Sequence, residues 1–251
     1  MTFRGGQGVF VLRDGRLRTI ADTRGRLSSV GQLGPTMNEA GTVAFRADLG
    51  SGTSAIFVGD AADVTTVADT DGDWSRFHGL PVIDRGGGVV FRADREDGVE
   101  GIYSARQGTI RAVVEVGDVF ERLALFPSVN DHGTVAFAAT LRGQGTAILT
   151  ADDGLITVVD SKGEFEEFRG ALIDGAGSLV RIATPRGGSL GLFSGPDPKT
   201  DRILAIGDHL FGSTVTDFAS NPVSINAIGH LAIRASLADG RQLILRTNPG
   251  D

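Results

Sequence analysis

NEAGTVAF, residues 38–45, is the stretch that decides the fold, because it returns four more times. The copies read DRGGGVVF from Asp84, NDHGTVAF from Asn130, DGAGSLVR from Asp174 and NAIGHLAI from Asn226, with starts 46, 46, 44 and 52 residues apart. A unit of this size cannot bury its apolar face alone, so the copies must stack into one shared architecture.

Each string reads as a tight turn followed by a strand. Asn and Asp bond their own backbone two residues on, and Gly supplies a positive φ. After the turn, Val43 and Phe45 alternate with Ala44 and Arg46, the period-two pattern of a strand. A first strand is expected before each turn, at 35–37, 81–83, 127–129, 171–173 and 223–225. A third strand follows a Gly-rich loop and ends at Phe57, Tyr103, Leu149, Phe193 or Leu245. A fourth closes the unit, as at 64–68 and 109–114, through short turns such as Asp153-Gly154.

Four antiparallel strands per repeat predict a blade, and five repeats predict an all-β, five-bladed β-propeller spanning 1–251 as one domain. The N-terminal segment adds a third and fourth strand at 9–12 and 17–20, and the last repeat lacks a fourth. Pairing of the two ends is expected to close the ring and remove the open edge. The third-strand motif, counted from Phe10, occurs six times for five blades, so one terminal copy is expected to be displaced. A solenoid is the competing architecture.

Composition narrows the function. The 251 residues carry 24 Lys and Arg against 31 Asp and Glu, a formal charge of −7. An acidic chain without a basic stripe is a poor nucleic-acid binder, since phosphate contacts supply most of that affinity. There is no cysteine, which excludes disulfides and thiolate chemistry. No apolar run approaches the roughly 18 residues of a membrane span, so no membrane insertion is expected. The opening residues have no signal-peptide core. The expected compartment is the cytoplasm, or the exterior if a leader has been removed.

The strings resemble the tandem NxxGxxAF repeat proteins, a bacterial group often associated with the cell surface. Residues 38–45 and 130–137 match that pattern in full, and 84–91 departs at its Asn and Ala. The GD element of that group is similar to Gly72-Asp73, Gly117-Asp118 and Gly207-Asp208, and is altered to Gly163-Glu164 and Gly25-Arg26. The resemblance implies a β-propeller-like fold and little about activity.

Binding residues concentrate on long loops held by rigid elements. Those loops are expected at 23–33, 70–79, 117–126, 163–170 and 207–222, on one face with the central opening. The GD position places Asp73, Asp118, Glu164 and Asp208 at matching sites, either as an acidic ring or each capping its own loop or pairing with an arginine, with Arg46, Arg92 and Arg234 the candidate partners. Breaks in the repeat are more telling. Arg181 stands where Phe or Ile is expected, so its charge must pair or face a channel. His78 approaches a first strand where other repeats have Gln32, Ala124, Phe168 and Ser220. His209 follows Asp208, an adjacent acid and imidazole. Trp74 is placed either to stack on a sugar ring or to plug the core as Phe165 does. Asp69, Asp71 and Asp73 alternate like a calcium loop, but Trp74 and Leu80 stand where that loop needs Gly and Glu. No cofactor is expected, with calcium the one candidate.

The leading expectation is a non-enzymatic propeller that binds a small molecule, glycan or protein through Trp74, His78, Arg92, Arg181 and His209. The alternative is a glycoside hydrolase or lyase-like enzyme whose acid/base groups come from Asp73, His78, Asp118, Glu164 and Asp208. A structural display module is the third reading. Fold alone chooses none of them.

Overall fold

All five strings close one and the same turn. The backbone N–H of Asn38, Asp84, Asn130, Asp174 or Asn226 donates to the carbonyl four residues on, at 2.8–3.1 Å. The side-chain Oδ1 accepts from the N–H of that same residue, which is Thr42, Gly88, Thr134, Ser178 or His230. The intervening Gly41, Gly87, Gly133, Gly177 and Gly229 have φ of 80–88° and donate back to the first residue. Asn and Asp interchange because either presents an Oδ1. Gly does not, because an L side chain is strained at that φ.

The structure, a computed structural model, describes residues 2–3, 5–152 and 154–247; Asp153 of the expected 153–154 turn lies outside them. The described residues form antiparallel strands and turns, with no helix. The first sheet holds β1 (Thr2–Phe3), β2 (Gly6–Arg13) and β3 (Arg16–Asp22). The second holds β4 (Leu27–Val30) and β5 (Thr36–Met37), both paired to β6 (Val43–Leu49), then β7 (Ser54–Gly59) and β8 (Val64–Asp69). The third runs β9 (Trp74–Ile83), β10 (Val89–Arg95), β11 (Glu100–Arg106) and β12 (Thr109–Glu115).

The fourth holds β13 (Phe120–Leu123) and β14 (Ser128–Val129), both on β15 (Val135–Leu141), then β16 (Gly145–Ala151) and β17 (Leu155–Asp160). The fifth runs β18 (Phe165–Ile173), β19 (Leu179–Pro185), β20 (Gly191–Phe193) and β21 (Arg202–Ala205). The sixth runs β22 (His209–Leu210), β23 (Ser213–Ala219), β24 (Leu231–Leu237) and β25 (Gln242–Thr247). Two compact units, Met1–Glu115 and Val116–Asp251, hold three sheets each among the described residues.

The six third-strand motifs are thereby accounted for, one in each sheet. Phe10 lies on β2, in a sheet that has no NxxG turn of its own. In the other five sheets the last residue of the string sits directly opposite the last residue of the third-strand motif. Phe45 faces Phe57, Phe91 faces Tyr103, Phe137 faces Leu149, Arg181 faces Phe193 and Ile233 faces Leu245.

The long loops are shorter than the sequence suggested. Residues 70–79 and 163–170 become strand from Trp74 and Phe165 onward, and parts of 23–33, 117–126 and 207–222 form β4, β13 and β23. The reason is a break in register. The pairing of β9 with β10 shifts twice, between Val90 and Arg92 and between Asp94 and Arg95, so Trp74, Phe77 and Leu80 are buried at a spacing of three rather than two.

Sheets pack face to face through apolar layers. In the first unit Val9 joins Leu27, Val43, Phe45 and Phe57, and Ala44 and Ile56 of the second sheet meet Trp74, Phe91 and Tyr103 of the third. In the second unit Ala136 and Ile148 meet Phe165 and Phe193, and Leu172, Val180 and Leu192 meet Val215, Leu231 and Ile233. Polar ties register the repeats. Buried Thr36 donates to Pro81 O at 2.9 Å and accepts from Ile83 N at 3.2 Å. Buried Ser128 accepts from Ile173 N at 3.3 Å, and Gly175 N donates to Ala227 O at 3.0 Å.

Candidate functional site

Strand alternation sends Phe91 and Ala93 of β10 into the core and turns Arg92 and Asp94 to the other face of the sheet. Arg92 lies opposite His78 of β9, and Asp94 opposite Glu100 of β11. The four side chains form two diagonal ion pairs. His78 Nε2 is 2.9 Å from Asp94 Oδ1, and Arg92 Nη2 is 2.6 Å from Glu100 Oε1. The Arg92 side chain is only 10% exposed, and the other three are largely buried. These are ion-pair approaches that lack hydrogen-bond alignment. His78 Nε2, Arg92 Nε, Asp94 Oδ1 and Glu100 Oε1 are buried atoms without a hydrogen-bond partner among the described residues. Such groups are rare in native proteins and call for a physical reason. Together they offer donors and acceptors side by side.

The same Phe-Arg-Ala-Asp run occurs at 45–48, but it is used differently. Arg46 donates to Phe77 O at 2.6 Å, and Asp48 accepts from Ser29 at 2.6 Å. Arg234 approaches Asp217 at 3.5 Å. The expected pairing of Arg46, Arg92 and Arg234 with the GD carboxylates is therefore corrected: each arginine has a partner on its own or the adjoining sheet. Recurrence of that run was a signal for Asp48 and Asp94 that the repeat reading passed over.

The GD carboxylates of Asp73, Asp118 and Glu164 are exposed. Their loops are held through the backbone. Glu96 N donates to Asp73 O, Arg142 Nε to Asp118 O, and Arg186 N to Glu164 O. Arg142 and Arg186, equivalent residues not foreseen, also bond the carbonyls of Gly117 and Gly163. Asp208 caps its own turn by accepting from Ala205 N at 2.8 Å, and it pairs with Arg202 at 3.3 Å. His209 is exposed on β22 opposite Thr214, while Asp208 is turned to those other partners.

Trp74 is not a surface platform. It is 8% exposed, with ring centroids 4.5 Å from Tyr103 and 5.5 Å from Phe91, both edge-on. It plugs the core as Phe165 does against Phe168 and Phe193. The calcium candidates secure a loop: Asp69 accepts from Asp71 N, and Asp71 from the Thr53 hydroxyl at 2.7 Å. No group of three or more His, Asp or Glu that could hold a metal ion occurs among the described residues. Arg181 is 9% exposed, and its Nε and Nη1 have no hydrogen-bond partner among the described residues. Burial pushes its guanidinium below the ordinary arginine range, and the charge of Asp201 offsets part of that.

A hollow of about 420 Å³ is bordered by Gly25, Arg26 and Leu27 of the expected 23–33 loop, and two larger ones open at the tight-turn end of the sheets. One in the first unit, of about 770 Å³, is bordered by the β2–β3 turn and by Ala40 and Gly41. One in the second, of about 560 Å³, is bordered by Ser178, Asp201, Ile228 and Arg246.

No family model matches the chain, and no curated protein matches it. Solved structures do. An oligogalacturonate lyase in complex with manganese is 12% identical over 98% of this chain and 77% of its own, with a TM-score of 0.57. The β-propeller domain of the Trilobed protease from Pyrococcus furiosus is 10% identical over 95% and 82%, with a TM-score of 0.47. A gluconolactonase from Xanthomonas campestris is 15% identical over 90% and 78%, with a TM-score of 0.46. At such identities the likeness to the lyase is one of fold.

Proposed function

We propose that this chain is a non-enzymatic five-bladed β-propeller of the NxxGxxAF repeat type that binds a neutral polyhydroxylated ligand, a glycan, at the His78–Arg92–Asp94–Glu100 ladder. The supporting observation is the set of four buried polar atoms there without an aligned hydrogen bond, three of which, His78 Nε2, Asp94 Oδ1 and Glu100 Oε1, are in ion-pair contact. Sugar hydroxyls donate and accept at once, so they match a ladder that offers both. The propeller reading draws on five equivalent turns and on the succession in each central repeat of a first strand, split into β4 and β5 or β13 and β14 in two of them, followed by three more. The fourth strand that the last repeat lacks is the one that β3 carries in sequence, and ring closure by the two ends belongs to the same proposal.

Binding is preferred over catalysis because each ladder carboxylate lies against a basic side chain, Asp94 against His78 and Glu100 against Arg92. Acid/base work needs a group free to exchange its proton. A thermal-shift screen against neutral oligosaccharides tests the reading, since a ligand of the native state must raise the melting point. A flat response across the panel overturns it.

One observation favours a second reading. Asp94 lies against the His78 imidazole at 2.9 Å, as a carboxylate does when it orients a base. The fold-like lyase acts on oligogalacturonate. In a lyase, His78 would take a proton while Arg92 faced a substrate carboxylate. Manganese has no donor set among the described residues. Unsaturated product from polygalacturonate, lost in His78→Ala, would establish this reading in place of simple binding.

A further inference from the structure

A different site, independent of the ladder, lies on the first sheet. Arg13 of β2 is directly opposite Arg16 of β3, and Arg18, two positions further along, is opposite Val11. Side chains two apart on a strand share a face, so all three guanidiniums leave the same side of the hairpin. The two-residue turn at Asp14 and Gly15, with φ of 50° and 71°, fixes that register.

All three arginines border the hollow of about 770 Å³, with Gly41 and Asp60 across from them. The side chains of Arg13 and Arg16 have no ion pair or hydrogen bond among the described residues. This sets them apart from Arg24, Arg92, Arg106, Arg202 and Arg241, each of which has its own carboxylate. Two acids also border the hollow: Asp14, in the turn between Arg13 and Arg16, and Asp60, which is already engaged. Asp60 accepts from Ala62 N at 2.7 Å and Asp63 N at 3.3 Å, and those bonds hold its carboxyl below the usual range, with a smaller contribution from Arg18. A chain of net charge −7 thus keeps a local surplus of unpaired positive charge in one concave place. Local field, not net charge, decides what such a hollow attracts.

We propose that this hollow binds a small molecule carrying two anionic groups, phosphate or carboxylate. Guanidinium forks recognise both in bidentate fashion. Directly opposed residues have Cβ atoms about 5 Å apart and successive same-face residues about 7 Å. One anionic group sits between Arg13 and Arg16, and a second reaches Arg18.

Calorimetric titration with pyrophosphate and, separately, with citrate tests the proposal on the whole chain. Saturable binding of either probe is expected, and which one binds tells a phosphate ligand from a carboxylate ligand. Arg13→Ala/Arg16→Ala should weaken it at least tenfold. Arg111→Ala/Arg122→Ala, which removes the same charge from exposed positions elsewhere, should leave it unchanged. Asp60→Asn keeps an Oδ1 for the turn and removes the opposing charge, so it should tighten binding several-fold. The Arg13/Arg16 variant is at the surface, and its melting point checks its fold. Absence of saturable binding by both probes overturns the proposal, and so does equal weakening by the two double variants.

Discussion

Arg181 lies directly opposite Phe193 across β19–β20, at the position where Phe45 meets Phe57 and Phe91 meets Tyr103. A charge there is desolvated without a hydrogen bond for Nε or Nη1. Arg181→Phe restores the residue of the first three repeats. It should raise stability by about 1–3 kcal/mol, the cost of an unsatisfied buried polar group. The midpoint of urea unfolding measures this. A fall in midpoint would mean that the arginine meets a compensating group.

Trp74 is the single tryptophan of the chain, which makes it a clean reporter. Packed edge-on against Tyr103 and Phe91, it should emit in the blue and resist quenching by acrylamide. Trp74→Ala should cost about 3–5 kcal/mol, as truncation of a buried aromatic does. Trp74→Phe should cost much less. Red-shifted, readily quenched emission would place the ring at the surface and contradict this packing.

Much of the fold was legible because the NxxG turn has local causes. Asn or Asp supplies Oδ1 and Gly supplies the positive φ, and both are visible in the letters around Asn38. The alternation of Val43 and Phe45 is equally local. The long first strands were not legible, since two register shifts between β9 and β10 send Trp74, Phe77 and Leu80 inward at a spacing of three. Of the ladder, His78 and Arg92 stood out as breaks or repeats of a pattern. Asp94 and Glu100 did not, because their pairing depends on which residues of three strands fall on one face.

Tyr103, the single tyrosine, is buried, and its hydroxyl donates to Glu115 at 3.0 Å. Burial first, then the Glu115 hydrogen bond and charge, push its phenol well above the ordinary value of about 10. The sign follows from proton counting. Below pH of about 10 both states hold the proton and its contribution is whole; above it the unfolded chain releases the proton while the fold keeps it. Stability should therefore fall as pH rises past 10, and less so in Tyr103→Phe. Phenolate absorbance of the folded protein should show no step near 10. A step there would contradict the burial.

The ties between repeats carry a ranking. Thr36→Val removes two buried hydrogen bonds and leaves Ile83 N–H and Pro81 O unpaired. Ser128→Ala removes one, from Ile173 N–H. Each unpaired buried group costs about 1–3 kcal/mol, so Thr36→Val should lower the unfolding midpoint more than Ser128→Ala. The reverse order would show that these bonds do not register the sheets.

The most direct test of the account is glycan binding at the ladder. Removing one partner of a buried ion pair destabilises a protein, whereas replacing both with neutral groups of similar shape is close to neutral. Arg92→Met/Glu100→Gln should therefore fold with a melting point near that of the wild type. On an array of neutral oligosaccharides, the wild-type chain should bind one family of glycans. The double variant should lose at least tenfold in affinity for it. A wild-type chain that binds no neutral glycan, or a double variant that binds as well as the wild type, would contradict the claim.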